Sequence, residues 1–358
     1  MRLGVIIRMA AAAAALSFAG GCVRTADLAP DPSSNRVIGF DAGSLLLRDD
    51  DAPSRAGSFK EGDFAVDESI KVFGRRHAHE EDAVIFDGTT VTKGASSWSY
   101  TNPRYWLWET EGDYYDFLAA YPSDKGTSIM DIPGNMAIST DYDLESDDYD
   151  LLYAVRRRRG DEVNRSSTVP LAFRHVLCAV KVVIVNDSKY ASLTLNSYEF
   201  RHVVVEASAK ATLDGLGNPE FSWINTVRNG SAIRGYSSLA TTLVGKKVAG
   251  THSREGDMDL FIPGSLSATS NGSSSEDYMP HLYVSYTPDG ESETTAEILL
   301  KDIQRDPMHG DTTPIDTWSP GVKYTYYINI RLDGGVVVSV ITTEWDSVEA
   351  ETPGLMIE

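Results

Sequence analysis

Apolar and polar residues alternate with a period of two through much of this sequence, and no long stretch repeats at helical spacing. A period of two belongs to a strand with one buried face. The clearest case spans residues 323–332. Tyr324, Tyr326, Ile328, Ile330 and Leu332 fall on one side, and Thr325, Tyr327, Asn329 and Arg331 on the other. Asp333-Gly334-Gly335 supplies the positive-φ positions of a tight hairpin. Val336–Thr343 returns from it with Val336, Val338 and Val340 on one side. Within Tyr114–Tyr121, residues Tyr115, Phe117, Ala119 and Tyr121 share a face, and Pro122 ends the run. Ser69–Phe73 and Ala83–Phe86 read as short strands. Val176–Val185 is almost wholly apolar, as in a strand at the centre of a sandwich. Val203, Val205 and Ala207 alternate with Val204, Glu206 and Ser208. Many short strands, with 29 Gly and 15 Pro, predict an all-β chain rather than an α/β one.

A chain of 358 residues suggests two domains, or one large β domain. Its 17 Tyr, 11 Phe and 6 Trp are enough to build a sizeable core. The boundary is expected within Arg156–Val169, dividing residues 36–165 from residues 166–358. There the charge run Arg156–Glu162 and a polar Asn-Arg-Ser-Ser-Thr stretch precede the strand after Pro170. The four consecutive arginines, Arg156–Arg159, are flanked by acids and read as a solvated hairpin or linker rather than a binding patch. Ala268–Asp277 has the composition of a flexible loop.

Residues 1–21 read as an export signal. Arg2 and Arg8 give a basic start, and Met9–Phe18 is an apolar run around five consecutive alanines. That run has the length of a signal-peptide core and is too short for a lasting bilayer span. Ala19-Gly20-Gly21 then precedes Cys22. Small residues let a signal peptidase approach the backbone, and a cysteine at the next position is the acceptor that lipoprotein processing requires. Cys22 is therefore the expected lipidation site, with ordinary secretion and nearby cleavage as the alternative. Residues 22–35 would form a polar, proline-containing tether. With Cys22 lipidated, Cys178 is the only thiol left and no disulfide can form.

Charge excludes one class of partner. Lys and Arg number 32 against 52 Asp and Glu, a net of −20, so phosphate backbones repel the chain and no nucleic-acid partner is expected. The sequence lacks a phosphate loop, a GxGxxG, a GxSxG elbow and an HExxH. No enzyme activity, metal or other cofactor is expected. His77 and His79, at i and i+2, form the best metal-like pair, but a loop between short strands is the plainer reading. The acids of Asp141–Asp150 resemble a calcium loop only in charge. Ser146 stands where such a loop needs Gly, and Leu152 where it needs a bidentate Glu. Cys178 lies on an apolar strand and reads as a small core residue. His175 reads as a structural histidine. Trp98, Tyr100, Tyr105, Trp106 and Trp108 could stack sugars or simply pack across strands.

The order of segments resembles the fimbrillin family, the type V pilins and pilin-like lipoproteins. After the lipoprotein signal come Val37-Ile38-Gly39-Phe40, a loop with Ser54-Arg55-Ala56, and Ser69-Ile70-Lys71-Val72-Phe73. Trp98-Ser99-Tyr100, Arg104-Tyr105-Trp106 and Tyr115–Pro122 follow. Asp150–Ala154 and Val169–His175 resemble the junction between the family's two domains. Pro320–Tyr326 and Glu344-Trp345 resemble its C-terminal hairpin. Tyr190–Pro280 adds little.

The resemblance implies two tandem transthyretin-like β-sandwich domains. It implies a fimbrial subunit, or a pilus-associated lipoprotein, held at the outer membrane by lipid. Its partners would be other fimbrial subunits, with host or bacterial surface molecules as ligands. In the family a protease cuts after an arginine in the loop following the first strand, and a segment of the next subunit replaces the lost strand. Arg55-Ala56 is the candidate cleavage site, with Arg48 as the alternative. Ile38 and Phe40 mark the strand to be replaced. Val336, Val338 and Val340 mark the candidate exchanging strand, with an ordinary closing hairpin as its alternative. A monomeric outer-membrane lipoprotein that binds glycans through Trp98–Trp108 is the runner-up reading.

Overall fold

A computed structural model describes residues 36–345, apart from 45–63, 79–81, 107–112, 133–134, 160–167, 188–191, 231–232, 245–257, 271, 273, 306–309 and 332–334. Cys22, Arg48, Arg55, Ala56, His79 and Trp108 lie outside the described residues. The first half holds β1 (Gly39–Ser44), β2 (Ser69–His77), β3 (Ala83–Lys93), β4 (Trp98–Ser99), β5 (Tyr114–Tyr121), β6 (Ser128–Ile132), β7 (Asn135–Asp143), β8 (Leu152–Arg159) and β9 (Thr168–His175). The second holds β10 (Cys178–Asp187), β11 (Ser192–Arg201), β12 (Val204–Leu213), β13 (Pro219–Arg228), β14 (Ile233–Val244), β15 (Asp259–Phe261), β16 (Gly264–Ser265), β17 (His281–Pro288), β18 (Thr294–Leu299), β19 (Gln304–Arg305), β20 (Thr317–Trp318), β21 (Val322–Arg331) and β22 (Val336–Glu344). Two short 3-10 turns, Glu276–Tyr278 and Leu300–Asp302, are the only helical elements among the described residues. The fold is all-β, as the alternation predicts.

Seven strands form the N-terminal sheet in the order β1-β9-β8-β5-β2-β3-β4. The sheet curls back on itself. Residues just before β1 bond to residues just after β4: Val37 bridges Tyr105, the Ile38 amide donates to the Arg104 carbonyl (2.8 Å), and the Trp106 amide donates to the Arg36 carbonyl (3.1 Å). Inside the curl sit Ile38, Phe40, Phe86, Phe117, Val169 and Leu171, all buried. The curl is tight enough to require a glycine on β2. A Cβ on Gly74 would come within 2.9 Å of the Phe86 ring and 3.2 Å of the Phe117 ring.

The outer face of this sheet is covered too. A four-stranded sheet, β13-β12-β7-β6, takes two strands from each half of the chain. Its Met136, Ile138, Ala209 and Ala211 join one core with Phe73, Leu118, Ala120 and Tyr153 of the first sheet. The Tyr153 hydroxyl crosses the interface, donating to Thr140 Oγ1 (2.7 Å) and lying 3.2 Å from the Ala209 carbonyl oxygen. This cover explains why β5 is buried on both faces although its sequence shows a single alternating stripe.

The C-terminal half is a sandwich. One sheet runs β15-β10-β21-β22-β19 and the facing one β14-β11-β17-β18. Val180, Val182 and Ile184 of β10 and Tyr324, Tyr326, Ile328 and Ile330 of β21 share a core with Leu193, Tyr198, Leu282 and Tyr286 of the facing sheet. The alternation read for residues 323–332 is thus a real buried stripe, apart from Leu332, which lies outside the described residues.

Two sequence expectations need correction. Arg156–Arg159 is not a linker but the end of β8, paired by register with Arg159↔Tyr114 through Arg156↔Phe117. Arginine stems can lie along a sheet while their heads find partners, and here Arg157 and Arg158 do so. The cut at 165/166 also separates strands that belong together. β9 follows it in sequence but bonds to β1 and β8, and β6 and β7 precede it but share a sheet with β12 and β13. Read from sheet membership, the crossing into the second half falls at Val176-Leu177, between β9 and β10.

Candidate strand-exchange site

β1 lies at the edge of its sheet and runs parallel to β9, from Gly39↔Thr168 to Ser44↔Phe173. Its alternation is that of a strand filling a slot. Ile38 is 0% exposed, Phe40 5% and Ala42 3%, whereas Val37 and Asp41 point to solvent. The Phe40 ring meets Phe86, Tyr100 and Phe117 edge-on, with centroids 5.3, 5.8 and 6.0 Å away. The Tyr100 hydroxyl donates to the Ile38 carbonyl (2.7 Å), so a side chain also holds the strand's backbone. Burial pushes the Tyr100 hydroxyl pKa up. Without β1, the slot would be floored by aromatic rings and edged by the free side of β9.

The hairpin strand β22 pairs antiparallel with β21 over its whole length, from Val322↔Glu344 to Ile330↔Val336. On its outer side, among the described residues, it is paired only at Ser339 and Val340, by the two-residue β19. Val336 and Val338 are half-buried, and Val340 is fully buried. The apolar side expected for these three residues is therefore inward at one end and partly open at the other.

The other candidates resolve into structure. Trp98 and Trp106 are core residues of the N-terminal sheet, 8% and 1% exposed, and cannot present faces to a sugar. Tyr100 is spent on β1. The two described tryptophans thus drop out of the glycan platform, while Tyr100 and Tyr105 are half-buried. Asp143 accepts from the Glu145 amide (2.9 Å) and the Ser146 hydroxyl (2.9 Å), and Asp147 accepts from the Asp143 amide (2.8 Å). These acids cap their own turn. Among the described residues no group of three His, Cys, Asp or Glu side chains is placed to hold a metal. Cys178 is fully buried, and burial pushes its thiol pKa far up.

Two polar clusters escaped sequence reading. In the first, buried Asp116 takes a two-pronged bond from Arg157, Nε to Oδ1 at 2.7 Å and Nη2 to Oδ2 at 2.9 Å. His77 Nε2 lies 3.2 Å from the same carboxylate, and its Nδ1 lies 3.1 Å from Asp82. Burial alone would raise the Asp116 pKa, but hydrogen bonds from Arg157 and His77 hold it below the ordinary carboxylate value. In the second, His175 Nδ1 sits 2.8 Å from Asp150 Oδ2. The His175 ring stacks on Trp345, with centroids 4.0 Å apart and planes within 7°. All three residues are buried. Their only signal in the sequence is that His175 reads as structural, since its partners are remote along the chain.

The sequence profile of a family described as Fimbrillin-like matches residues 54–345. No curated protein matches the chain at a significant level. Among solved structures, a fimbrial protein from Bacteroides vulgatus ATCC 8482 is 16% identical, with a TM-score of 0.53, covering 87% of this chain and 100% of that one. A fimbrilin from Porphyromonas gingivalis W83 is 11% identical at a TM-score of 0.38, covering 86% and 99%. The tip fimbrial protein Mfa3 from Porphyromonas gingivalis is 12% identical at 0.36, covering 78% and 95%. The first of these supports the shared fold.

Proposed function

The chain belongs to the fimbrillin-like family, whose fimbrial proteins act at the cell surface, and from that premise we propose that it is a lipid-anchored fimbrial subunit or pilus accessory protein that assembles by exchange of β-strands. The observation that carries this reading is β1. It is an edge strand that, with Ile38 just ahead of it, inserts Phe40 and Ala42 into a core built otherwise by β2, β3, β4, β5, β8, β9 and the flanking Phe64 and Trp106. The chain from its end at Ser44 to the start of β2 at Ser69 includes Ser54-Arg55-Ala56. Cutting after Arg55 would leave β1 held only by its hydrogen bonds and packing. A strand from a second subunit can replace both, because main-chain bonds to β9 do not depend on sequence and alternate side chains refill the slot. Val336, Val338 and Val340 of β22 are the candidate donors, with an outer edge that β19 covers only in part. Cys22 would carry the lipid before processing. The role is structural and adhesive, and the clusters described above supply no nucleophile with a base.

The test is cross-linking within assembled material. Val338→Cys is paired with cysteines flanking Ile38 in a second copy, after treatment with an arginine-specific protease. Cross-links between copies and fibres by electron microscopy are the expected result, and Arg55→Ala should abolish both. Contacts confined to one chain in assembled fibres would assign the hairpin a closing role and place the donor elsewhere. Labelling by a fatty-acid analogue that persists in Cys22→Ala would remove Cys22 from the scheme.

A further inference from the structure

The slot that β1 fills is graded along its length. Ile38, Phe40 and Ala42 enter it in turn, a branched aliphatic residue, a ring and a single methyl group, and all three are buried. The alternate positions Val37 and Asp41 face solvent. Backbone bonds fix the strand's direction from both sides. β9 pairs in parallel with residues 39–44, and just ahead of β1 the Ile38 amide donates to the Arg104 carbonyl (2.8 Å). The middle seat is the most closely built. Phe86, Tyr100 and Phe117 stand edge-on around the Phe40 ring, and these walls are themselves held. Phe86 and Phe117 rest against β2 at Gly74, where a Cβ would already meet them at 2.9 and 3.2 Å. Phe117 also packs edge-on against Trp106, with centroids 5.8 Å apart. The Tyr100 hydroxyl is tied twice, donating to the Ile38 carbonyl (2.7 Å) and accepting from the Arg104 amide (3.3 Å). A void in a core costs most where its walls cannot collapse into it, and this seat is of that kind.

We propose that the Phe40 seat decides which strand the slot holds: its tight occupant is an extended segment that runs parallel to β9 and places an aromatic ring between a branched aliphatic residue and a small one at alternate positions. The proposal rests on the strand-exchange reading and names the chemistry of the partner. It also ranks the candidates. β22 contains no aromatic residue. In the frame of Ile38, Phe40 and Ala42, its Val336, Val338 and Val340 leave the space of the ring unfilled and crowd the place of Ala42. A second copy of this chain can therefore enter the slot through β22, but it holds the slot less tightly than a ring-bearing strand of a different subunit.

Two measurements test it, and the first needs no exchange between chains. Full-length chains carrying Phe40→Val or Ile38→Val are compared by hydrogen exchange and mass spectrometry. Both variants shorten a buried side chain of the same strand, but only the first empties the ring seat. Residues 39–44 should exchange about tenfold faster in Phe40→Val than in Ile38→Val, with β17 and β18 unchanged in both. Phe40→Leu takes the place of Phe40→Val if that variant unfolds the sheet, with the same ordering expected. Equal exchange in the two variants would overturn the proposal. The second measurement uses the natural chain cut by an arginine-specific protease, which is then inhibited, and fluorescent peptides. A peptide of residues 36–44 should displace β1. Its Phe40→Val form should bind about tenfold more weakly, and so should a peptide of residues 334–342 from the hairpin. Val338→Phe with Val340→Ala in the hairpin peptide should recover most of that loss. Equal affinity of the peptides with and without the ring would also overturn the proposal. If no peptide enters, the chain's own strand included, strand exchange fails, and the hydrogen-exchange comparison still decides whether the ring seat governs how the slot is held.

Discussion

At the scale of residues, the buried charges set the most specific expectations. Asp116 is 1% exposed and depends on Arg157 for its charge to be tolerable. Arg157→Ala leaves that carboxylate buried with its main partner gone, and should cost about 3–5 kcal/mol by denaturant unfolding. The sign of the acid dependence follows from the direction of the shift. Asp116 titrates lower in the folded chain than its ordinary 3.8, so its contribution is complete at neutral pH and fades as pH falls below about 4 through the folded value. In Arg157→Ala this acid-side loss should shrink, and thermal melts at pH 7, 4 and 3 would show it. Cys178 gives a second expectation. With its thiol buried and its pKa raised, it should resist iodoacetamide in the native protein and react only on unfolding. Native labelling of Cys178 at the rate of a free thiol would refute that. The sequence marks Cys178 and His175 as structural because neighbours along the chain suffice for that judgement. It hides the Asp116–Arg157 and His175–Trp345 contacts because these join residues on different strands. The arginine run misleads for the same reason: four charges in a row look solvated until Asp116 stands beside them.

Among elements, legibility follows how each strand is buried. β21 packs one face against the opposite sheet, so its period of two is visible in Tyr324, Tyr326, Ile328 and Ile330. β13 is an edge strand, largely exposed, with only Phe221 and Trp223 packed against the core, and nothing in its sequence announces it. β12 is buried on both faces except at Glu206 and Lys210, so its alternation is blurred. The hairpin partner β22 allows a graded prediction. Val340→Asp puts an unpaired charge at a 0% exposed site and should destabilise the fold by several kcal/mol. Val338→Asp, at a half-buried site, should cost clearly less. Comparing the two midpoints in urea checks the ordering. If strand exchange uses this edge, Val338→Asp should block assembly in a chain that still folds, and this makes it the cleaner variant for an assembly assay.

For the whole molecule, the sheet shared between halves decides how the chain unfolds. The sequence offers two domains because each half holds enough strand pattern, and the charge run between them looks like a seam. The structure joins the halves through β7 and β12, which pair from Glu206↔Asp143 to Thr212↔Ala137. Met136, Ile138 and Tyr142 of the first half belong to the same core as Val180, Tyr326 and Trp345 of the second. No local pattern could reveal this, because a strand's alternation says which face is buried and not which strand lies beside it. A fragment ending at residue 165 would lack β9, lose the pairing of β1, and leave β7 without its β12 partner. A fragment ending at His175 would keep β1 and β9 but lose β12 and β13, and with them the part of the cover over Tyr153, Met136 and Ile138 that Ala209 and Ala211 supply. Apolar burial contributes roughly 25 cal/mol per Å², so losing this cover together with the β7–β12 ladder removes a sizeable part of the 5–15 kcal/mol that keeps an ordinary domain folded. Residues 36–175 expressed alone should therefore bind a hydrophobic dye and melt broadly or not at all, while residues 36–345 should unfold in one calorimetric transition. Two well-separated transitions in the full chain, the first matching that of an independently folded 36–175 fragment, would show that the shared sheet does not couple the halves.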